Sequence, residues 1–338
     1  MPPTLVTALL ALVLLWVVVA FAIELLAWRA EYLARLPAPA RFRLAPVARG
    51  DASQARLAFL GDVQRGIADI ARPLAQAMED EPADLLISSG DLIAHGEAPY
   101  YGVFLDAFDR AEIQGPLRVV PGNHDLHPRR FRDATQAYAL FRERFGEPYW
   151  AERVGPVLVV GVDDAVRAVN GEQLTWLDEV LAERGDTPWI TVCHRPPRDL
   201  FEEEAPVAGG CDALVDRMER HPPLLCVCGH EHEYLERQVG GVRYVVNAHG
   251  GDVHGLGLSR GPFDLLRVVV SAGGSTTERI TRHKRRPWRR VYLHQLAVRA
   301  WWSRRKGLGA VLAAPASLVL GPLGLRAPLR DPRAFVTR

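Results

Sequence analysis

Short apolar runs alternate with segments of mixed polarity through the middle of the chain. The runs are rich in Val, Ile and Leu, and they predict buried strands at 56–60, 84–89, 117–120, 157–162, 189–193, 224–228, 242–247 and 264–270. The segments between them show helical periodicity at 67–79, 99–111, 131–145, 172–183 and 211–220. Strands and helices that alternate in this way predict a layered α/β fold.

The start of the chain follows a different pattern, an apolar stretch over residues 5–23. This stretch is long enough to cross a bilayer, with Trp28 at headgroup level, so residues 1–28 are predicted to be a transmembrane anchor. A cleaved signal peptide is the alternative, because Ala20, Phe21 and Ala22 match a cleavage pattern. The anchor is favoured because the apolar stretch is longer than that of signal peptides and no Lys or Arg precedes it.

Residues 29–54 are rich in Pro, Ala and Arg and are predicted to form an extended linker. Positive charge close to a membrane span favours the cytoplasmic side. Because the arginines of this part of the chain follow the anchor rather than precede it, the region beyond the linker is predicted to be cytoplasmic. These arginines are Arg29, Arg35, Arg41, Arg43 and Arg49.

The formal net charge of +1 conceals a basic tail. Residues 279–330 carry 13 of the 41 Lys and Arg residues and no Asp or Glu, interleaved with Trp288, Tyr292, Trp301 and Trp302. Such a mixture suits anionic lipid headgroups or a nucleic-acid backbone, and the anchor favours the lipids. Within the predicted tail, 276–338, the apolar segment 308–325 is broken by Pro and Gly, so an interfacial element is favoured over a second span. A disordered charged tail is the alternative.

The four cysteines are compatible with a reducing compartment. Cys226 and Cys228 alternate with Val227 on a predicted buried strand. Two core side chains on one strand face and a metal or redox pair are both open interpretations, and the core interpretation is favoured.

Fragments with metal-ligand side chains follow several of the apolar runs. In chain order they are Gly-Asp-Val-Gln at 61–64, Gly-Asp at 90–91, Gly-Asn-His-Asp at 122–125, Cys-His at 193–194 and Gly-His-Glu-His at 229–232. Each alone is explained by a polar turn. Because all of them follow predicted strands, they are expected to meet at the same ends of neighbouring strands, where carboxylate, amide and imidazole groups form a metal centre.

Taken together, the fragments resemble the calcineurin-like metallophosphoesterases over about residues 55–275. The resemblance implies a four-layer α/β sandwich, in which two mixed sheets stack face to face between helices. It also implies that the last strands before the tail complete the second sheet.

The same resemblance implies a ligand set for two divalent ions. Asp62, Gln64 and His232 would bind the first metal, and Asp91 would bridge the pair. Asn123, His194 and His230 would bind the second metal. By the same resemblance, His124 contacts the substrate phosphate and donates a proton to the leaving oxygen, and the neighbouring Asp125 is predicted to hold its imidazole in the required tautomer.

Gln64 departs from the commonest family pattern, which has His at this place. An amide oxygen is a harder ligand than an imidazole, so Mn²⁺ is favoured, followed by Mg²⁺, with Fe and Zn²⁺ left open. Some related branches, including manganese-dependent phosphodiesterases that act on nucleotide diphosphates, also carry Gln, so the change does not indicate an inactive site.

The expected chemistry is hydrolysis of a phosphate ester by a water bridging two metals. Proximity to the membrane favours a phosphodiester or pyrophosphate substrate with a lipid or nucleotide part, and anionic lipids as partners of the tail. A phosphomonoesterase or phosphoprotein phosphatase is the runner-up, and a nuclease is third, with nucleic acid not expected as a partner. A non-catalytic membrane scaffold is the alternative outside enzymes. It is disfavoured because six of the seven ligand positions match the common family pattern and the seventh, Gln64, can also bind a metal.

Overall fold

The computed structural model describes residues 3–37, 53–113, 115–126, 134–200, 211–247, 250, 262–283 and 296–302. The chain divides into two compact units, one formed by residues 1–35 with 292–338 and the other by residues 36–291. The predictions for most of the linker, residues 38–52, and for the apolar segment 308–325 lie outside the described residues.

The larger unit alternates strands with helices, as the sequence predicts. Its strands are β1 (Gln54–Leu60), β2 (Leu85–Ser88), β3 (Leu117–Val119), β4 (Trp150–Val154), β5 (Val157–Gly161), β6 (Trp189–Val192), β7 (Leu225–Cys228), β8 (Tyr234–Val239), β9 (Val242–Asn247), β10 (Pro262–Ser271) and β11 (Gly274–His283). With α1 (Pro3–Ala34) assigned to the smaller unit, the helices of the larger unit are α2 (Ile67–Asp80), α3 (Ala98–Arg110), α4 (Ala134–Phe145), α5 (Gly171–Glu183) and α6 (Asp212–Arg220).

The strands form two mixed sheets. One has the order β11-β10-β1-β2-β3 and the other has the order β4-β5-β6-β7-β9-β8. Within them, β1, β2 and β3 are parallel, as are β5, β6, β7 and β9. The antiparallel pairs involve β4, β8, β10 and β11. The predicted α/β fold with two mixed sheets flanked by helices is therefore confirmed.

Two apolar clusters hold these layers together. The first lies between the sheets and joins Phe59 of β1 to Val192 of β6. The second contains alternate residues of the six-stranded sheet, such as Trp189, which pack against Leu177 of α5 and Leu214 of α6. Each large side chain buried in this way stabilises the fold by about 1.5–3 kcal/mol.

Three strands were not predicted, and all three lie at sheet edges: β4, β8 and β11. An edge strand exposes one side to solvent, so its residues need not form an apolar run, and β8 alternates partly buried with exposed positions. The expectation that the last strands complete the second sheet is wrong, because β10 and β11 extend the sheet that contains β1. β11 also continues to His283, beyond the domain boundary predicted at residue 275.

The smaller unit contains α1 and a short helix at 296–302. α1 includes Val6–Ala34, a segment long and apolar enough to cross a membrane, and it continues past the predicted anchor end at residue 28. Ala30 and Ala297 are buried together, and Trp301 completes this contact. The Trp301 indole donates a hydrogen bond to Glu31 Oε2 over 2.8 Å. This part of the basic tail therefore packs on the N-terminal helix.

Candidate metal centre

The ends of the parallel strands position most of the predicted ligands. In both sheets, a ligand follows within four residues of the carboxyl end of a strand. Because β1, β2 and β3 run in parallel, and β6 and β7 likewise, these ends lie side by side. The first ligand after each of these strands is Asp62, Asp91, Asn123, His194 and His230, respectively, and Gln64 and His232 follow two residues after Asp62 and His230.

The backbone at these positions is strained. Asp62, Gln64 and Asp91 have φ values of 51°, 41° and 52°, and His230 and His232 have values of 74° and 56°. Left-handed conformations cost a residue with a side chain about 1–3 kcal/mol and persist where the surroundings enforce them. Among the described non-glycine residues, two others share this conformation. The strain is therefore concentrated on the predicted ligands.

Asp62 lies at the centre of one half of the site and is fully buried. Its Oδ2 accepts a hydrogen bond from the His230 backbone N–H over 2.9 Å, and its Oδ1 lies 3.3 Å from His232 Nε2. Gln64 donates from Nε2 to Asp91 Oδ2 over 3.1 Å. An amide can donate through Nε2 and still offer Oε1 to a cation, so this hydrogen bond is compatible with the ligand role predicted for Gln64.

Acceptor atoms converge in the other half. His194 Nδ1 lies 3.0 Å from the Ser89 carbonyl oxygen. Because a carbonyl only accepts, Nδ1 of the neutral ring carries the proton and Nε2 presents a lone pair. This Nε2 lies 3.1 Å from Asn123 Oδ1 and 3.5 Å from Asp91 Oδ1. Three lone-pair atoms that face one another fit a shared cation.

The ionisation states fit the same chemistry. Burial lowers the pKa of His194, and burial with the neighbouring His194 lowers the pKa of His230 to about 3. Both imidazoles are therefore neutral at pH 7, which is the form that binds a metal. The ligand atoms of Asp62, Asp91 and His194 all lie within 4.8 Å of one another. Two carboxylates, neutral imidazoles and amide oxygens form a donor set for divalent cations.

His124 and Asp125 lie beside the converging ligands but serve different partners. The His124 backbone N–H donates to Asp91 Oδ1 over 2.7 Å, and its Nδ1 lies 2.9 Å from the Ala94 carbonyl oxygen. The tautomer of His124 is therefore held by Ala94. The interpretation that Asp125 holds this imidazole is wrong.

Asp125 instead accepts hydrogen bonds from backbone N–H groups of Leu92, Ile93 and Gly122 over 3.3, 3.1 and 2.9 Å. These bonds join the loop after β2 to the loop after β3. Burial raises the pKa of Asp125 to about 8, and the charge of Asp91 adds to the rise. Asp125 is thus a structural residue of the site.

Gly122 allows the two loops to approach closely. A Cβ atom at this position would lie 2.1 Å from Asp91 Oδ1 and 2.3 Å from the Asp91 backbone nitrogen. No side chain fits there without displacement of Asp91.

Two residues of the site were not predicted, Asp164 and Arg195. Asp164 is fully buried, and its carboxylate accepts from the backbone N–H groups of His194 and Arg195, over 2.8 Å each. It follows β5 just as the predicted ligands follow their strands, so the same pattern could have identified it. Arg195 adjoins His194 in sequence, and its guanidinium reaches Asn123 and His230.

The cysteines lie in the core behind this site. Cys193, Cys226 and Cys228 are buried in the cluster that packs against α5 and α6. The Cys228 Sγ lies 3.6 Å from that of Cys193 and 3.7 Å from that of Cys226. Their burial is compatible with the interpretation of Cys226 and Cys228 as core side chains. The Sγ atoms of all three cysteines also lie within 4.8 Å of one another, so the interpretation as a metal or redox group stays open.

Comparison with known proteins places this arrangement in a family. A sequence model of the calcineurin-like phosphoesterases matches residues 55–234. A probable cyclic nucleotide phosphodiesterase of Synechococcus sp. is 25% identical over 162 residues, which are 46% of this chain and 60% of that protein. The chain thus spans less than two thirds of the length of this relative.

Solved structures share the fold at lower identity. A purple acid phosphatase from yellow lupin seeds superposes with a TM-score of 0.53 at 14% identity, over 69% of this chain and 52% of that one. GAP50, the anchor in the inner membrane complex of Plasmodium, gives 0.51 at 14% identity, over 72% of this chain and 95% of that one. The match of the family model over more than half of the sequence shows that the chain belongs to the calcineurin-like phosphoesterase family.

Proposed function

We propose that this protein is a dinuclear metal-dependent hydrolase that cleaves a phosphodiester or pyrophosphate bond at a membrane surface. The observation that carries the proposal is the convergence of the predicted ligands around the buried Asp62, Asp91 and His194, with backbone strain at most of them. Strain of this kind lowers stability, and it is retained where function requires the geometry.

The ligands divide into two groups around Asp91. Asp62, Gln64 and His232 would hold one cation, and Asp91 would be shared. The second group, here called the second-metal ligands, consists of Asn123, His194 and His230. When bound, divalent cations lower the pKa of water and neutralise negative charge on a phosphoryl group. Mn²⁺ is proposed as the native ion because Gln64 supplies oxygen where most relatives supply imidazole nitrogen.

His124 is proposed as the general acid. The Ala94 carbonyl accepts a hydrogen bond from His124 Nδ1, and the Asp91 carboxylate accepts one from the His124 backbone N–H. In the protonated ring both nitrogens carry a proton, so Nε2 can give its proton to the leaving oxygen while Nδ1 remains bound to Ala94. The carbonyl thus orients the ring throughout the reaction.

Two observations support a diester-type substrate near lipid. The Synechococcus relative is named as a probable cyclic nucleotide phosphodiesterase. The smaller unit combines an apolar helix with adjacent Trp301 and Trp302, side chains suited to the membrane interface. We therefore propose a lipid-linked or nucleotide-linked substrate, a cytoplasmic larger unit and anionic lipids as partners of the basic tail.

A non-catalytic scaffold is the second candidate, because GAP50 has a similar fold and is described as an anchor. A scaffold does not require a catalytically active metal site. The two proposals therefore differ in the outcome of a hydrolysis assay.

The test uses the purified full chain in detergent, stripped of metal with a chelator and reloaded with Mn²⁺. Bis-p-nitrophenyl phosphate is expected to be hydrolysed faster than the p-nitrophenyl monoester. Asn123→Ala and His230→Ala are each expected to lower kcat/KM about 100-fold or more, as does removal of a group that acts in the transition state. The matched control is His221→Ala, an exposed histidine outside the site.

Three results would count against the proposal. A monoester preference would contradict the diester assignment, and full activity of either alanine variant would contradict the ligand assignment. Absence of hydrolysis with any divalent metal would favour the scaffold.

A further inference from the structure

The Arg195 side chain extends into the site and contacts the side chains of two second-metal ligands. Its Nη2 donates to Asn123 Oδ1 over 2.9 Å, and its Nη1 lies 2.5 Å from His230 Nε2. These are the atoms through which Asn123 and His230 would bind a metal. The guanidinium and the second cation therefore compete for the same lone pairs.

Hydrogen bonds to Asp164 fix the turn that carries Arg195. Asp164 accepts the backbone N–H groups of both His194 and Arg195. Pro196 and Pro197 follow directly, and proline restricts both its own φ and the conformation of the residue before it. The side chain thus starts from a fixed point next to His194.

The Arg195 guanidinium has a positive charge and a hydrogen-bond donor that remain available to an anion. It contacts the amide oxygen of Asn123 and Nε2 of His230, and no carboxylate of the described residues forms an ion pair with it. The Arg195 Nε is buried and has no hydrogen-bond partner among the described residues. The guanidinium is planar, and its N–H groups form a fork with one free donor. This geometry matches a phosphoryl group, which accepts two parallel hydrogen bonds.

If a cation displaces the guanidinium from Asn123 and His230, the cation and the guanidinium are two positive groups that lie side by side. An anionic phosphoryl group is the ligand that both can bind, since it neutralises the metal and accepts from the fork. We propose that Arg195 binds the phosphoryl group of the substrate beside the second-metal ligands and thereby couples phosphate binding to binding of the second cation. This inference rests on the proposed function and adds a substrate-binding residue to it.

Linkage makes the coupling measurable without turnover. If phosphate draws Arg195 away from the second-metal ligands, phosphate must tighten Mn²⁺ binding, and Mn²⁺ must tighten phosphate binding by the same factor. Removal of the guanidinium has two opposite consequences. The second cation loses a competitor, and the phosphate loses a partner.

The experiment titrates Mn²⁺ calorimetrically into the metal-free full chain in detergent, with and without inorganic phosphate. In the wild type, phosphate is expected to tighten the weaker Mn²⁺ site about tenfold, the size of one charge-assisted hydrogen bond. In Arg195→Gln, the weaker site is expected to tighten about threefold without phosphate, and the phosphate effect is expected to fall below about twofold. Arg195→Lys keeps the charge but not the fork, so it should show an intermediate phosphate effect.

Arg198→Gln is the matched control. Arg198 lies in the same loop but donates to Glu219 over 2.6 Å, and its variant should behave as the wild type. The KM for bis-p-nitrophenyl phosphate should rise about tenfold in Arg195→Gln and stay unchanged in Arg198→Gln.

Equal Mn²⁺ affinities and equal phosphate effects in the wild type and Arg195→Gln would overturn the role of Arg195. A wild type that lacks Mn²⁺-dependent hydrolysis would instead contradict the proposed function. The two failures are therefore distinguishable.

Discussion

Individual side chains of the site do more than the sequence pattern assigns to them. The pattern identified residues by type and by place after a strand, which was sufficient for the residues that converge on Asp91. It could not identify partners set by the tertiary fold, so it assigned His124 to Asp125 although the Ala94 carbonyl accepts from the ring. Arg195 was missed for the same reason, since its reach to Asn123 depends on packing between two sheets.

Gln64 provides a prediction at this scale. Gln64→Ala removes a proposed ligand and the hydrogen bond to Asp91, so Mn²⁺ affinity is expected to fall by about 10–100-fold. Gln64→His should retain metal binding and shift the preference toward Zn²⁺, because imidazole suits zinc. Calorimetric titration with both metals measures this, with Gln76→Ala, at an exposed glutamine, as the control. Unchanged Mn²⁺ affinity in Gln64→Ala would remove Gln64 from the ligand set.

Asp163 provides a pH-dependent prediction. Burial raises its pKa from 3.8 to about 6, although the Tyr138 hydroxyl donates to it over 2.7 Å. Between pH 4 and pH 6 the folded state therefore binds more protons than the unfolded state, and stability falls as the pH rises through this window. The loss is expected to reach about 2–3 kcal/mol by pH 7.

Asp163→Asn removes this ionisation. In urea unfolding of the full chain in detergent, the variant should gain about 2–3 kcal/mol relative to the wild type between pH 4 and pH 7. Tyr138→Phe should have the opposite effect, since the carboxylate loses a donor. A stability difference between Asp163→Asn and the wild type that does not change with pH would refute the account of this carboxyl.

Whole elements were predicted where burial dictates an apolar run. The central strands β1, β2, β5, β6, β7 and β9 were found because both faces of each are buried. The edge strands β4, β8 and β11 were not, because one side of each meets solvent. The predicted ligands follow β1, β2, β3, β6 and β7, all of which were predicted, so the three missed strands did not affect the prediction of the site.

The contact between the loops after β2 and β3 yields a prediction about these elements. Gly122→Ala places a methyl group 2.1 Å from Asp91 Oδ1, so the Asp91 carboxylate must move. Mn²⁺ affinity is expected to fall by about 10–100-fold, as with other changes that displace a ligand. Gly171→Ala is the matched control, because a Cβ atom there has no neighbour within 4 Å. Equal Mn²⁺ affinities in the two variants would show that the loops do not position Asp91.

Across the whole molecule, the N-terminal helix and a described segment of the basic tail belong to one compact unit. α1 supplies the apolar helix, and residues 296–302 return to pack on Ala30 and Glu31. The contact of Trp301 with α1 could not be derived from the sequence, because it depends on how two segments distant along the chain pack together. The contact places residues 296–302 of the basic tail on α1.

The anchor itself is testable. Because the apolar stretch is longer than that of a signal peptide, we expect the mature protein to retain residues 1–28 and to resist extraction from membranes by alkaline carbonate. Intact mass measurement of the purified protein checks this. A mature chain that begins after Ala22 would show a cleaved signal peptide and would end the anchor interpretation.

The central claim is that Asp62, Asp91 and His230 belong to a single site for a pair of divalent cations. Anomalous diffraction from crystals of the protein grown with Mn²⁺ tests it most directly. The account predicts two anomalous peaks about 3.5–4 Å apart, with Asp91 between them. A single peak, or no peak among these side chains, would contradict it.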